Sequence, residues 1–169
     1  MLRVDSTLKE VEEGNSTADV LFDAGLGDIG AQRVADALRR NRHVTEVDLN
    51  ANGIGDEGAT ALAHVLASDC GIKYINLGWN RIGPEGAKAL AETVRASSTL
   101  TALDLSQNRI GDEGALALAA ALETSPSMDR LWLESNDITD VAMAALVQAT
   151  RRLTRVQLGR NATTTDAAA

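Results

Sequence analysis

The chain has 169 residues, 44% of them apolar, enough for one domain with a real core. Its net charge of −8 excludes the basic face of a typical nucleic-acid binder and disfavours an anionic membrane surface as partner. One cysteine, Cys70, allows no intramolecular disulfide and no cysteine metal cluster, which suits a reducing compartment; aromatics at 2% leave the core to Leu, Ile, Val and Ala.

In chain order, the opening "MLRVDSTLKEVEEG" lacks the apolar stretch of a secretory signal. Residues 1–15 read as a cap or tail, with Leu8 and Val11 placed to face the segment that starts at residue 16. No run reaches the roughly 18 apolar residues of a membrane span, so the reading is cytoplasmic. From residue 16 the sequence repeats itself. The segment 16–43 is a degenerate first copy. Clear copies follow at 44–71 ("VTEVDLNANGIGDEGATALAHVLASDCG"), 72–99 ("IKYINLGWNRIGPEGAKALAETVRASST") and 100–127 ("LTALDLSQNRIGDEGALALAAALETSPS"). The copy at 128–152 is three residues shorter, 153–161 is a partial copy, and 162–169 is a C-terminal tail. Asn15 and Asn161 each open a glycosylation sequon; without a signal peptide both read as chance.

The repeat disposes of one tempting motif. Gly53–Gly58 fits the G-x-G-x-x-G of a dinucleotide loop. Its counterparts at 81–86 and 109–114 carry arginine in place of the first glycine. A structural turn recurs every 28 residues; a phosphate loop has no reason to.

Each copy resolves into columns. Val47, Ile75, Leu103, Leu131 and Val156 precede Leu49, Leu77, Leu105, Leu133 and Leu158 by two positions, the period of a strand. Asn52, Asn80, Asn108 and Asn136 come three residues later, and an amide there can pair with backbone groups of neighbouring coils. Gly55, Gly83 and Gly111 read as turn residues. Helices then begin, with acid at Asp56, Asp112 and Asp140 in the N-cap or first turn and proline at Pro84. Their apolar faces keep i, i+3, i+4, i+7 spacing, as in Ala59, Leu62, Ala63 and Leu66. Strands joined through helices form a parallel sheet, and because helices are wider than strands the stack curves with the strands inside.

The pattern from Leu100 through Leu103, Leu105, Asn108 and Ile110 to Gly114 resembles the leucine-rich repeat, and the 28-residue length with its "GDEGAxALAxxL" helix resembles the ribonuclease-inhibitor-like subclass. The resemblance spans residues 16–161. It implies an α/β solenoid, a horseshoe arc with a parallel β-sheet on its concave face and α-helices on its convex face. It also implies a protein that binds other proteins inside cells. Relatives of this subclass include the ribonuclease inhibitor, tropomodulin's C-terminal cap and the Ran GTPase-activating proteins. Two alternatives stay open: a GTPase activator for a small GTPase, and a structural component of a cytoskeletal or larger assembly.

Side chains that alternate with the strand leucines point onto the concave face. Those expected to contact a partner are Trp79, Trp132, Tyr74, Asp48, Asn50, Asn76, Asp104, Ser106 and Glu134. Both tryptophans and the single tyrosine fall there, and aromatics are enriched at binding hot spots. Asp48, Asp104 and Glu134 would steer a basic protein partner, or simply keep the sheet soluble. Asp48 and Asp104 lie two strands apart, about 9–10 Å, at or beyond the widest carboxylate spacing of a glycosidase. His43 and His64 fall on the helical side, so no acid/base or nucleophilic constellation assembles. The expectation is a non-enzymatic binder with no cofactor, metal, nucleic acid or membrane partner. Charge is uneven: residues 1–30 hold seven acids and two bases, net −5, whereas 130–161 hold five bases and three acids, net +2. Self-association through the solenoid ends is therefore a further expectation.

Overall fold

The computed structural model describes Lys9 and residues 18–21, 23–68 and 70–162. The expected cap over 1–15, Lys9 aside, and the tail from residue 163 lie outside the described residues. Among the described residues, strands β1 (Ala18–Val20), β2 (Glu46–Asp48), β3 (Tyr74–Asn76), β4 (Ala102–Asp104), β5 (Arg130–Trp132) and β6 (Arg155–Gln157) form one parallel sheet in sequence order. Between them run α1 (Gly27–Arg40), α2 (Asp56–Leu66), α3 (Pro84–Ala96), α4 (Gly111–Thr124) and α5 (Asp140–Ala149), the last closing in a 3₁₀ turn over Thr150–Arg152. The sheet forms the concave face and the helices the convex one.

The register obeys the repeat: Tyr74 stands beside Glu46 and Ala102, and Arg130 beside Ala102 and Arg155. Ladder bonding continues past the short strands, with the N–H groups of Leu49, Leu77, Leu105 and Leu133 donating to the next coil over 2.8–2.9 Å. The inward columns are dry from β2 to β5: Val47, Ile75, Leu103, Leu131, Leu49, Leu77, Leu105 and Leu133 are buried. Val156 and Leu158, on the last strand of the described sheet, are only half-buried. The apolar stripes of the helices close the other side of this interior. Gly58, Gly86 and Gly114 set how near the helices come. A Cβ on them would sit 2.6–2.9 Å from the methyl of Ile54, Ile82 or Ile110, and 2.7–3.0 Å from Ala31, Ala59 or Ala87 on the preceding helix.

Asparagines join the coils. Asn80 accepts the N–H groups of Asn52 and Ile54 at 3.0 and 2.9 Å and donates to the carbonyls of Leu49, Leu77 and Gly78. Asn52 and Asn108 repeat this between their own neighbours. Asn161 does the same for the last coil, accepting from Asn136 N–H at 2.7 Å and donating to Leu133 and Leu158 carbonyls. The sequon at Asn161 is thus a fifth rung of the ladder, buried with both ends of its amide engaged.

The helix-start acids Asp56, Asp112 and Asp140 stand in the first turns, as expected. The Asp56 and Asp112 side chains do not cap their own helices. Asp28 Oδ1 instead accepts Gly55 and Gly58 N–H at 2.7 and 3.0 Å, one coil ahead, and Asp56 Oδ1 accepts Gly83 and Gly86 N–H at 2.7 and 2.9 Å. Asp112 accepts the N–H and hydroxyl of Thr139 at 2.8 and 2.6 Å. Gly55, Gly83 and Thr139 then lie extended, at φ −103°, −98° and −101°, so at 55 and 83 the turn reading is corrected: no left-handed freedom is used. Pro84 breaks the series by removing the carboxylate that would reach Gly111. Gly111 swings to φ +60° and gives its N–H to the Asn136 carbonyl at 2.9 Å. Gly27, which has no described aspartate one coil earlier, does the same at φ +56° toward Asn52.

Gly111 thus needs its left-handed backbone because Pro84 offers no acceptor. Gly111→Ala is expected to destabilise by about 1–2 kcal/mol, and by distinctly less in a Pro84→Asp background, where an acceptor is restored. Urea unfolding of the two single variants and the double variant checks this; strictly additive losses would sever the link.

Candidate functional site: the concave sheet face

Four outward columns line the concave side, and each carries a different constraint. In the first stand Glu46, Tyr74, Ala102, Arg130 and Arg155. Glu46, Arg130 and Arg155 are exposed, Tyr74 is half-buried and Ala102 fully buried.

The second column holds Asp48, Asn76, Asp104, Trp132 and Gln157. Asp48, Asn76 and Asp104 each accept the N–H two residues onward, at Asn50, Gly78 and Ser106, over 3.0, 2.9 and 2.9 Å. Asp104 also accepts the Ser106 hydroxyl at 2.6 Å. These are local side-chain turns that bend the chain out of the strand. The same oxygens that lend the face its acidity therefore shape its edge, a duty their spacing in sequence did not announce. In the third column Asn50 and Ser106 close on Gly78, where a Cβ would lie 2.9 Å from the Asn50 amide nitrogen and 3.1 Å from the Ser106 hydroxyl. Glu134 stands half-buried further along the same column.

Trp132 replaces the turn-forming acid and does other work. Its ring meets that of Tyr74 edge-on, centroids 6.2 Å apart at 64°, and the Arg155 guanidinium lies 5.8 Å above it. The two rings come from β3 and β5 and meet across β4, over the strand that carries Ala102. Trp132 and Tyr74 therefore pack against each other as well as facing outward.

The fourth column is backbone-strained. Ala51, Trp79, Gln107, Ser135 and Arg160 have φ of +57°, +55°, +56°, +53° and +56°. The N–H groups of Ala51, Trp79, Gln107 and Ser135 each donate to a carbonyl of the next coil, which holds the turn in that geometry. No glycine marks these positions, so the sequence hid them. Trp79 is 63% exposed there, away from the Tyr74–Trp132 pair.

Charge divides along the face. Glu46, Asp48 and Asp104 lie on β2–β4; Arg130 and Arg155 lie on β5–β6, where Glu134 just past β5 is the acid on the same face. Burial first, then the charges of Asp104 and Asp48, push the Tyr74 hydroxyl from its ordinary 10 up to about 12, with Arg130 opposing. Elsewhere, His43 and His64 are exposed on the helical side, and Cys70 is buried in the core beyond α2. No three His, Cys, Asp or Glu side chains among the described residues come together to hold a metal ion, and no described helix is long and apolar enough to cross a membrane.

A family model described as leucine-rich repeat matches residues 40–63, 70–91 and 96–119, each stretch running through a strand into the following helix. The chain is a leucine-rich repeat protein. The repeat fold also matches solved structures. One, titled leiomodin-1 actin-binding site 2, is 21% identical with a TM-score of 0.72 over 86% of this chain and 88% of that one. Another, the tropomodulin C-terminal domain of Caenorhabditis elegans, is 15% identical with a TM-score of 0.73 over 88% of this chain and 92% of that one. A comparison with curated protein sequences finds no significant match. At these identities the structural likeness establishes the repeat architecture.

The Tyr74 environment yields a pH prediction. A hydroxyl whose pKa is raised on folding contributes stability below pH 10 that is lost as pH rises from 10 through about 12. Ultraviolet titration of this single tyrosine should show a midpoint well above 10, and Tyr74→Phe should flatten the stability loss across that window. A midpoint at the ordinary value would remove Tyr74 from its burial against Trp132.

Proposed function

We propose that this leucine-rich repeat chain is a non-enzymatic scaffold that holds a protein partner against its concave face. The observation that carries the reading is Trp79: a bulky indole, 63% exposed, at a left-handed backbone position. It contributes little burial and adds strain, so stability gives no reason for it. A large, rigid aromatic at the lip of an open sheet is suited to be a binding anchor. Trp132 is the second anchor, already braced by Tyr74 and Arg155. Around them Asn50, Asn76, Ser106 and Glu134 offer polar contacts, and Glu46, Asp48 and Asp104 favour basic side chains of the partner over β2–β4.

A second reading is a role in a cytoskeletal assembly. It is favoured by the two solved structures, one titled an actin-binding site and the other a tropomodulin domain, each matched over most of both chains. Actin is the first partner to offer; co-sedimentation with filaments and binding to monomers would test it, and absence of both would retire this narrower reading while leaving the scaffold open.

The two indoles separate cleanly by stability. Trp79→Gly is expected to leave unfolding free energy unchanged or raised by up to about 1 kcal/mol, because it relieves the left-handed strain. Trp132→Ala is expected to lower it by about 1–2 kcal/mol through the lost aromatic and cation contacts. Both should weaken partner capture at least tenfold. Denaturant titration beside a quantitative binding measurement checks this, and undiminished capture by the two variants would remove the concave face from the function.

A further inference from the structure

Arg130 and Arg155 are register neighbours on adjacent parallel strands, both exposed, on the same face. Strands stand about 4.8 Å apart, and like charges directly opposed destabilise a sheet. Among the described residues no carboxylate forms an ion pair with either; pairs such as Arg39–Asp36, Lys88–Glu85, Lys88–Glu113 and Arg95–Glu92 lie on the helical side. Of the concave-face acids, Asp48 and Asp104 are turned to their own backbone, Glu46 lies three strands from Arg130, and Glu134, half-buried past Trp132, has its carboxylate beside Gly159 and forms no ion pair with either arginine. Arg155 is steered over the Trp132 ring, whose face attracts a cation and orders the guanidinium. The result is two adjacent guanidiniums with no carboxylate in ion-pair contact, one of them pre-positioned beside a half-buried indole. Planar guanidiniums accept a carboxylate through paired N–H donors.

We propose that Arg130 and Arg155 receive a carboxylate side chain from an acidic segment of the protein partner, seated against Trp132 on β5–β6. The inference rests on the concave-face reading above and adds the chemistry of one end of the partner. Together with the acids over β2–β4, it makes the expected ligand a bipolar segment, basic toward the first coils and acidic toward the last. This charge order also fixes the direction in which the segment lies.

The probe is a hexaglutamate peptide, with hexalysine and inorganic phosphate as controls. In a Trp79→Phe background, emission reports Trp132 alone. Hexaglutamate should change that emission with saturation, more weakly as salt rises. Arg130→Gln/Arg155→Gln should weaken the response at least tenfold, and Arg130→Glu/Arg155→Glu should abolish it while circular dichroism stays unchanged. No response, an equal response to hexalysine, full competition by phosphate at equal charge, or an undiminished response in the glutamine variant would each overturn the proposal. The failures are separable. If a partner is captured through Trp79 and Trp132 yet the arginine variants hold it as well as the parent, the scaffold stands and the carboxylate receptor falls. If the tryptophan variants capture it undiminished, the scaffold reading falls whatever the peptide shows.

Discussion

Each coil of this protein leaves polar groups at its turn that its own residues do not fully satisfy, and the next coil supplies the partners. That is the constraint on which the rest depends. A buried asparagine spends its carbonyl on the N–H groups of the coil before and its amide on the carbonyls around the strand exit. An aspartate at one helix start serves the N–H groups of the following helix start. Both bonds point along the stack, so the repeats are coupled neighbour to neighbour, as expected of a quasi-one-dimensional solenoid. Buried backbone donors left without such partners would each be expensive. The aliphatic columns supply the driving force for stacking; these polar rungs fix its register.

The coupling shows where it fails. Pro84 suits the first turn of its own helix, yet it removes an acceptor needed one coil later, and Gly111 answers with a left-handed backbone. At the same junction lies the one buried side-chain oxygen without a hydrogen-bond partner among the described residues, Asn136 Oδ1. The shortened fifth coil shows another local remedy. Its 3₁₀ turn brings Arg152 back to the carbonyls of Leu122 and Ser125, covering the end of α4.

How much of this was legible in the sequence depended on whether a residue's task lay within its own coil. The leucine columns and the alanine-rich helix faces repeat at strand and helix periods, so their burial could be read directly from spacing. The asparagine ladder was legible too, because nothing but an inter-coil role explains an amide at that phase. The aspartates stand in the first turns where the sequence puts them, but their bonding was hidden for the opposite reason: an acid at a helix start already has a sufficient local explanation, and only the register reveals that it serves the helix 27 residues on. Asp48 and Asp104 read as charges that steer a partner or keep the sheet soluble, and Asn76 as a partner contact, because a bond to the N–H two residues away leaves no period of its own. The Tyr74–Trp132 pair joins positions on strands two apart, a contact that arises from geometry and not from any motif. Outside the sequence's reach altogether was the left-handed column, since alanine, tryptophan, glutamine, serine and arginine share no conformational signature.

That column bears on function through a simple separation. Its backbone shape is imposed by hydrogen bonds to the next coil and by the asparagine one residue later, neither of which involves the side chain. The side chains at 51, 79, 107, 135 and 160 are therefore free of the core, and any residue there other than glycine, asparagine or aspartate meets a similar backbone penalty. With the penalty nearly constant and the burial small, stability scarcely discriminates among them. At such a position a tryptophan is set apart by what it presents outward: a large rigid surface, held by the coil-to-coil ladder at the lip of the sheet and separate from the braced pair at Tyr74 and Trp132. The interior that makes the stack rigid and the surface offered to another molecule are thus built from different atoms of the same turn, which lets the outward residue change without disturbing the repeat that carries it.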